Sequence, residues 1–122
     1  MFAVIRTVRL RETDATGVIY FTEQLSWAQE AFEEYLISRG WTLDTLMPIV
    51  HVEANYTAPL HIGDRVEIRL FLEQMGTSSF TLSAQMQMGE KEVGRVRITH
   101  VTISKGASIP LPEKVKDLLK NL

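Results

Sequence analysis

The sequence contains no cysteine among its 122 residues. Disulfide bonds, thiolate nucleophiles and cysteine-based zinc sites are therefore excluded, and the composition favours a reducing compartment, which we expect to be the cytoplasm. The three histidines, His51, His61 and His100, do not have the spacing of metal ligands. We therefore expect a protein that carries neither a metal nor another cofactor of its own.

Charge runs and long apolar runs are also missing. The formal net charge is -2 and no run of basic residues is longer than a pair, so the sequence lacks the electrostatic footprint of a nucleic-acid-binding protein. The apolar start is interrupted by Arg6, and no apolar run approaches the length that spans a membrane. Walker loops, dinucleotide fingerprints and the serine nucleophile elbow are absent as well. We expect neither a nucleic acid nor a membrane as a partner.

One long helical pattern runs roughly from Thr22 to Arg39. Its apolar side chains recur at the spacing of a single helix face, while most of its glutamates lie elsewhere. Thr22 is expected to cap the N-terminus, and Gly40 is expected to follow the last turn. The apolar stripe of this predicted helix consists of Leu25, Ala28, Phe32, Tyr35 and Leu36.

Alternating patterns predict strands on both sides of this helix. One short strand ends near Arg11, and four more follow the helix. In the last strand the apolar side changes near Thr99, which indicates either a bulge or a strand covered on both faces. The later strands are expected at Ile49 to Tyr56, Val66 to Leu72, Phe80 to Met88 and Val93 to Ser104, before a short tail helix around Val115 to Leu122.

This order of elements predicts an α+β fold with a single domain over residues 1–122. A five-stranded antiparallel sheet would pack on one long central helix. Such a pair of layers buries a modest core and leaves strand edges exposed. Because a second subunit would bury more surface and protect those edges, we expect a homodimer or homotetramer.

The stretch from Arg11 to Phe21 leads into the helix and carries the strongest candidate for chemistry. Asp14 lies there in a turn of small residues, shortly before backbone N–H groups that have no intrahelical partner. A carboxylate beside such donors suits reactions of a carbonyl group. A turn aspartate can also be a capping residue with no chemical role.

Two short motifs point to a family. The first motif is Thr13-Asp14-x-x-Gly17-Val18-x-Tyr20, directly before the long helix, and the second is Tyr56-x-Ala58-Pro59 with Gly63-Asp64. Together they resemble the hotdog-fold acyl-CoA thioesterases of the 4-hydroxybenzoyl-CoA thioesterase type, over roughly residues 2–105. The segment Pro48-Ile49-Val50-His51 and the residues around the second motif are most similar to 1,4-dihydroxy-2-naphthoyl-CoA hydrolases of phylloquinone and menaquinone synthesis. The resemblance implies a hotdog fold and hydrolysis of an acyl-CoA thioester.

The resemblance also implies a role for residues of the first motif and the helix start. Asp14 matches the catalytic carboxylate of the family, and the backbone N–H of Phe21 matches the group that polarises the thioester carbonyl. Gly17 matches a glycine that lets the chain approach the acyl group closely, and Tyr20 is expected to contact substrate. Because the site of the family lies at a dimer interface, strands of a second subunit are expected to complete the pocket.

Further substrate contacts are expected elsewhere in the chain. His51 could donate to a ring hydroxyl of an aromatic substrate, or it could be a structural strand histidine. Thr77 and Ser78 stand where the 4-hydroxybenzoyl-CoA enzyme has a basic cluster for the CoA phosphates, and we expect them to contact substrate. The remaining candidates for binding these phosphates are Lys91, Arg95, Arg97 and Lys105.

Two classes of function remain open from the sequence. In the first, the protein hydrolyses an aromatic acyl-CoA, or alternatively a short-chain acyl-CoA or acyl-carrier-protein thioester, with Asp14 as nucleophile or as general base. In the second, the protein is a non-catalytic module that binds acyl-CoA. An Asp14 carboxylate aimed at the helix N-terminus favours the enzyme, whereas one folded back as a cap favours the binding module.

Overall fold

A computed structural model describes residues 1–42 and 44–122 of the chain. Within these residues the chain forms a long helix, α1 (Phe21–Ser38), a tail helix, α2 (Glu113–Lys120), and a short 3-10 turn at Leu10–Glu12. The strands are β1 (Phe2–Thr7), β2 (Ile49–Tyr56), β3 (Arg65–Met75), β4 (Ser79–Met88), β5 (Lys91–Val101), β6 (Ile103–Ser104) and β7 (Ala107–Ser108).

The first five strands form one antiparallel sheet in the spatial order β1-β3-β4-β5-β2. Helix α1 packs on one face of this sheet, so the predicted α+β arrangement and the hotdog fold are confirmed. The alternating strand pattern places every second side chain toward α1, which is why the core is built from two layers. The helix contributes Trp27, Ala28, Ala31, Phe32 and Tyr35 to this core, and the sheet contributes Val66, Ile68, Leu70, Phe80, Leu82, Ala84, Met86, Val96 and Ile98.

The start of α1 differs from the prediction. Tyr20, in an extended conformation, is the N-cap, and α1 begins at Phe21. The prediction that Thr22 caps the helix is therefore wrong, because Thr22 already lies in the first turn. At the other end the helix stops at Ser38, and Gly40 adopts the left-handed conformation with φ of 70°, as predicted.

Two strand ends also differ from the prediction. Strand β1 ends at Thr7 rather than near Arg11, because the chain turns into the 3-10 segment. The predicted last strand to Ser104 is interrupted at Thr102, where the N–H donates to the Ser78 carbonyl at 2.9 Å and the hydroxyl donates to the Ile109 carbonyl at 2.8 Å. The chain after Thr102 forms the small β6–β7 hairpin instead.

The register between β2 and β5 shifts opposite the predicted position. Ile49 pairs with His100 and His51 pairs with Thr99, so Val50 is an extra residue on β2. A bulge does lie opposite Thr99, but it belongs to β2, and the last strand does not change sides there, because Val96, Ile98 and His100 remain buried in alternation. Beyond the bulge Val52 lies opposite the buried Ile98, and this pairing turns Val52 toward the α1 side of the sheet.

Strand β2 forms one edge of the sheet and remains open along its length. Four of its apolar side chains have large exposed fractions: Ile49 37%, Val50 58%, Val52 41% and Tyr56 42%. An edge strand with this much apolar surface is a site where another chain can pair.

The tail helix α2 packs on the end of the molecule at which α1 finishes. Val115 and Leu119 are buried, and the Tyr35 hydroxyl donates to the Leu118 carbonyl. The predicted tail helix is therefore confirmed. In the part of the chain that the structure describes, neither helix has the length and apolarity that crossing a membrane requires.

Candidate active site

The turn that carries Asp14 is held by its own backbone. The Asp14 N–H donates to the Val18 carbonyl at 2.9 Å, and the Gly17 N–H donates to the Asp14 carbonyl at 3.0 Å. Gly17 has φ of 81°, and a Cβ built on it would meet nothing within 4 Å. In a single chain this glycine is therefore required by the backbone conformation rather than by crowding.

A buried carboxylate ties the same segment to α1. Glu12 is 4% exposed, accepts the Arg9 N–H at 2.8 Å and accepts the Trp27 indole N–H at 3.0 Å. A second anchor joins the Ile19 N–H to the Leu60 carbonyl at 2.8 Å. The segment before the helix is thus fixed at both ends. Glu12 was not predicted as a buried residue, because a glutamate beside an arginine has the pattern of a surface residue.

Asp14 itself is exposed and bonded within its turn. Its Oδ1 accepts the Thr16 backbone N–H at 2.8 Å and also the Thr16 hydroxyl. These hydrogen bonds, that from the Thr16 side chain first, lower the pKa of Asp14 and keep it a carboxylate near neutral pH. In the single chain the carboxylate is folded onto Thr16, which is the arrangement expected of a capping residue.

The first turn of α1 lies next to this aspartate turn. Phe21 is its first residue, and the side chain of Tyr20 makes no capping hydrogen bond to any of the described residues. The amides at this end therefore lack a side-chain acceptor, and the helix dipole adds partial positive charge. The Tyr56 hydroxyl donates to the Phe21 carbonyl at 2.7 Å, which fixes the end of β2 against the start of the helix.

A cleft of about 410 Å³ opens at this junction. Its volume is within the range of small-molecule sites. Asp14 lies beside the cleft, because its N–H donates to the carbonyl of Val18, one of the lining residues. The cleft wall is mostly apolar and consists of Val18, Ile19, Phe21, Gln24, Tyr56, Thr57, Ala58 and Pro59.

Gln24 is the second polar residue that the sequence analysis missed. It is 2% exposed, and it shares a helix face with Ala28 and Ala31, at positions i+4 and i+7. That spacing was the available signal, since a glutamine on an otherwise apolar face requires an explanation.

The other predicted substrate residues lie at varied distances from the cleft. Tyr20 is 48% exposed and its ring contacts the Phe21 ring at 4.9 Å between centroids, so it belongs to the same junction. His51 lies on the outer face of the sheet, away from α1, where its Nε2 is 3.1 Å from a carboxylate oxygen of Glu53.

Thr77 and Ser78 form the turn between β3 and β4, at the opposite end of the sheet. Their carbonyl oxygens accept the N–H groups of Leu111 at 2.8 Å and Thr102 at 2.9 Å. Strand β4 runs from this turn to Met86 beside the helix start, a span of roughly 25 Å. One chain therefore brings together Asp14, Gly17, Tyr20 and Phe21, and it does not bring His51, Thr77 or Ser78 to them.

The candidate phosphate ligands are partly committed to other contacts. Arg97 bridges Glu53 at 3.0 Å and Glu73 at 2.8 Å, and the latter contact in particular raises the pKa of Arg97. Arg95 pairs with Glu92 at 3.0 Å. Over residues 1–42 and 44–122, no three histidine, aspartate or glutamate side chains are grouped closely enough to hold a metal ion.

Comparisons with known proteins agree over most of the chain. The family description "Thioesterase-like superfamily" matches residues 8–119. A 1,4-dihydroxy-2-naphthoyl-CoA hydrolase of Prochlorococcus marinus (strain NATL1A) is 38% identical in an alignment of 113 positions that covers 81% of this chain and 75% of that protein. A hydrolase of the same name from Synechococcus elongatus is 31% identical in an alignment of 125 positions that covers 94% of this chain and 92% of that protein.

A solved structure gives the same result in three dimensions. The crystal structure of a 1,4-dihydroxy-2-naphthoyl-CoA thioesterase from Synechocystis superposes with a TM-score of 0.91 at 30% sequence identity. The superposition covers 99% of this chain and 96% of that chain.

Proposed function

Because this chain belongs to the Thioesterase-like superfamily, we propose that it hydrolyses 1,4-dihydroxy-2-naphthoyl-CoA to the free acid and CoA. It is a thioester hydrolase, as are the relatives that resemble it over most of its length. The reaction serves phylloquinone or menaquinone synthesis, takes place in the cytoplasm and needs no cofactor, since the CoA thioester is the substrate.

The observation that carries this proposal is the junction of three features: the Asp14 turn, the start of α1 without a side-chain cap, and the apolar cleft. The backbone N–H of Phe21 would donate to the thioester carbonyl oxygen as negative charge develops on it. Removing one such donor typically raises a barrier by about 2.7–4 kcal/mol. The apolar wall would exclude water around the acyl group and strengthen this interaction.

Asp14 can act in either of two balanced ways. As a nucleophile, a carboxylate oxygen attacks the carbonyl carbon, the C–S bond breaks, CoA thiolate leaves, and water then hydrolyses the mixed anhydride. As a general base, Asp14 takes a proton from a water molecule that attacks the same carbon; the C–S bond then breaks, and CoA leaves as the thiolate that accepts this proton. Both hydrogen bonds from Thr16 go to Oδ1, so we assign the reaction to Oδ2.

The folded-back position of Asp14 is the one arrangement that favoured a non-catalytic binding module. The choice of an enzyme over a binding module rests instead on the hydrolase relatives, which cover 81% and 94% of this chain, and on the family match over residues 8–119, which includes the Asp14 turn. A binding module would bind acyl-CoA in a calorimetric titration without releasing free thiol. A hydrolase would instead consume the acyl-CoA and release CoA as free thiol.

We also propose that the active form is a homo-oligomer. Tyr56 and Thr57, at the end of the open edge strand β2, line the cleft, so a second chain pairing with β2 would lie beside it. Such a neighbour would supply the part of the wall that one chain leaves open.

The test is a substrate panel with free-thiol detection. It contains 1,4-dihydroxy-2-naphthoyl-CoA, benzoyl-CoA, a short-chain acyl-CoA and an acyl-carrier-protein thioester, each with wild type and with Asp14→Asn. We expect the dihydroxynaphthoyl thioester to be hydrolysed fastest, and Asp14→Asn to lower kcat by at least about 100-fold without loss of the fold. The exposed Asp117→Asn is the matched control and should retain wild-type activity. Near-normal hydrolysis by Asp14→Asn would show that Asp14 does not take part in the chemistry. Faster hydrolysis of the short-chain acyl-CoA by wild type would make a short-chain thioester the substrate in place of 1,4-dihydroxy-2-naphthoyl-CoA.

A further inference from the structure

Gln24 places a buried amide in the wall of the cleft. It follows Phe21 by three residues, so its side chain lies on the same face of α1 as the start of the helix. Its Nε2 donates to the Met86 sulfur at 3.4 Å, and over residues 1–42 and 44–122 this is the single hydrogen bond of the Gln24 side chain. Since a thioether sulfur is a weak acceptor, the amide is held in place but poorly satisfied.

Gly94 makes room for this amide. A Cβ at position 94 would lie 3.0 Å from the Gln24 Nε2 and 3.2 Å from the Asn55 carbonyl oxygen. The backbone of Gly94 is outside the left-handed region, so the lack of a side chain is explained by space and not by conformation. Met86 and Gly94 therefore form a slot that fits a glutamine at position 24.

Over residues 1–42 and 44–122, no protein group donates a hydrogen bond to the amide oxygen of Gln24. The oxygen is not enclosed in the core, since Trp41 Nε1 is the one fully enclosed side-chain polar atom without a partner among these residues, so the Gln24 oxygen is accessible from the cleft. A polar atom that faces a ligand cleft commonly finds its partner in the ligand or in a bound water. An oxygen acceptor cannot stabilise the thioester carbonyl, which is itself an acceptor. It requires an O–H or N–H group on the molecule that occupies the cleft.

We infer that Gln24 determines specificity in the cleft: its side-chain oxygen accepts a hydrogen bond from a hydroxyl group on the aromatic ring of the acyl group. The apolar residues Val18, Ile19 and Pro59 contact the ring itself. This inference rests on the proposed function and adds a reason for the substrate class, a hydroxylated aromatic acyl group rather than a bare one.

The test compares two substrates that differ in their hydroxyl groups. We measure kcat/KM for 1,4-dihydroxy-2-naphthoyl-CoA and for 2-naphthoyl-CoA, with wild type and with Gln24→Met, which keeps the length of the side chain. Gln24→Met is expected to lower kcat/KM for the dihydroxy substrate by about tenfold to 100-fold, because one buried hydrogen bond is lost. For 2-naphthoyl-CoA the value should stay within about threefold of wild type.

Two further variants make the result specific. Gln74→Met changes an exposed glutamine on β3 and should leave both substrates unaffected. Gly94→Ala keeps Gln24 but displaces its amide, and it should reduce the preference for the hydroxylated substrate in the same direction. If Gln24→Met does not fold, as judged by circular dichroism, the preference of Gly94→Ala decides.

The outcomes separate the inference from the proposed function. The inference alone would be overturned if wild type hydrolyses the dihydroxy substrate but Gln24→Met loses kcat/KM equally on both substrates. It would also be overturned if Gln24→Met keeps the wild-type preference between them. A wild type that hydrolyses neither naphthoyl thioester would overturn the proposed function, and the inference with it.

Discussion

Glu12 and Asp14 are two carboxylates, two residues apart, with opposite surroundings. Glu12 is 4% exposed and its oxygens accept hydrogen bonds from Arg9 and Trp27, whereas Asp14 is exposed and bonds within its own turn. The first therefore positions the segment, and the second is free to meet a substrate. The sequence predicted a chemical role for Asp14 because its motif consists of neighbouring residues. It could not predict that Glu12 is buried, because the indole that donates to Glu12 lies 15 positions along the chain.

At this scale we predict an effect of Thr16→Val on the pH profile. The Thr16 hydroxyl is the largest cause that lowers the pKa of Asp14, so its removal should raise that pKa. If Asp14 must be ionised to react, the acidic limb of kcat/KM against pH moves to higher pH, with little change at neutral pH. Steady-state assays from pH 4 to 8 measure this limb.

Thr13→Val is the matched control for that experiment. The Thr13 hydroxyl donates to the Leu10 carbonyl at 2.7 Å, in the same segment but away from the carboxylate. Its acidic limb should coincide with that of wild type. If the limb of Thr16→Val also stays in place, a group other than Asp14 controls the profile.

At the scale of elements, the spacing of apolar residues predicted which helices and strands form, and local chemistry decided where each of them begins. Helix α1 and the strands of the sheet followed from 3.6- and 2-residue patterns, which depend on which face is buried. The helix start was missed because the chain enters from an extended Tyr20 without a capping hydroxyl. The extra residue Val50 was missed because the alternation in β2 continues through Val50, Val52 and Ala54 without a break, so the sequence carries no sign of the bulge.

His100 connects two of these elements, and it predicts how stability depends on pH. It is 6% exposed, its Nδ1 is 2.8 Å from the Met47 carbonyl, and it stacks on Phe80 with 5.0 Å between ring centroids. Burial lowers the pKa of His100, while the bond to Met47 opposes this. The unfolded chain then binds a proton more readily than the folded one, so this contribution is complete above about pH 6.5 and is lost as the pH falls.

Urea unfolding of wild type should therefore show a free energy of unfolding that declines between pH 7 and pH 5.5. In His100→Phe the decline over this window should be shallower, although the variant loses about 1 kcal/mol at pH 7 with the bond to Met47. Identical slopes in wild type and His100→Phe would assign the pH dependence to other groups.

At the scale of the whole molecule, the open edge of the sheet is the main unsatisfied surface. The apolar side chains of β2 and the cleft at its end belong to one continuous region. The sequence predicted the need for a second subunit from the size of the core. Which of the two edges, β1 or β2, would pair could not be predicted, because strand order is set by contacts between distant segments.

We predict that Val52→Lys weakens self-association. A lysine on an edge strand disfavours pairing with another strand, and Val52 is 41% exposed on β2. Light scattering after size-exclusion chromatography should shift the mass toward one chain of 13.9 kDa. Hydrolysis should fall in parallel, because the cleft would lose its neighbouring wall.

Ile5→Lys on β1 is the matched variant at the opposite edge, with Ile5 52% exposed. It should keep the wild-type mass and activity. Dissociation by Ile5→Lys but not by Val52→Lys would place the contact between subunits at the β1 edge instead.

The bond between Trp27 and Glu12 gives the enzyme a natural optical reporter. Indole emission changes in wavelength and intensity when a neighbouring carboxylate leaves, and Trp27 is 2% exposed while its N–H contacts Glu12 at 3.0 Å. Departure of the segment before α1 would therefore alter the fluorescence of a tryptophan that lies in the core. With Trp41 replaced by phenylalanine, the emission of Trp27 after rapid mixing with substrate would show whether this segment stays in place during turnover, without an added dye.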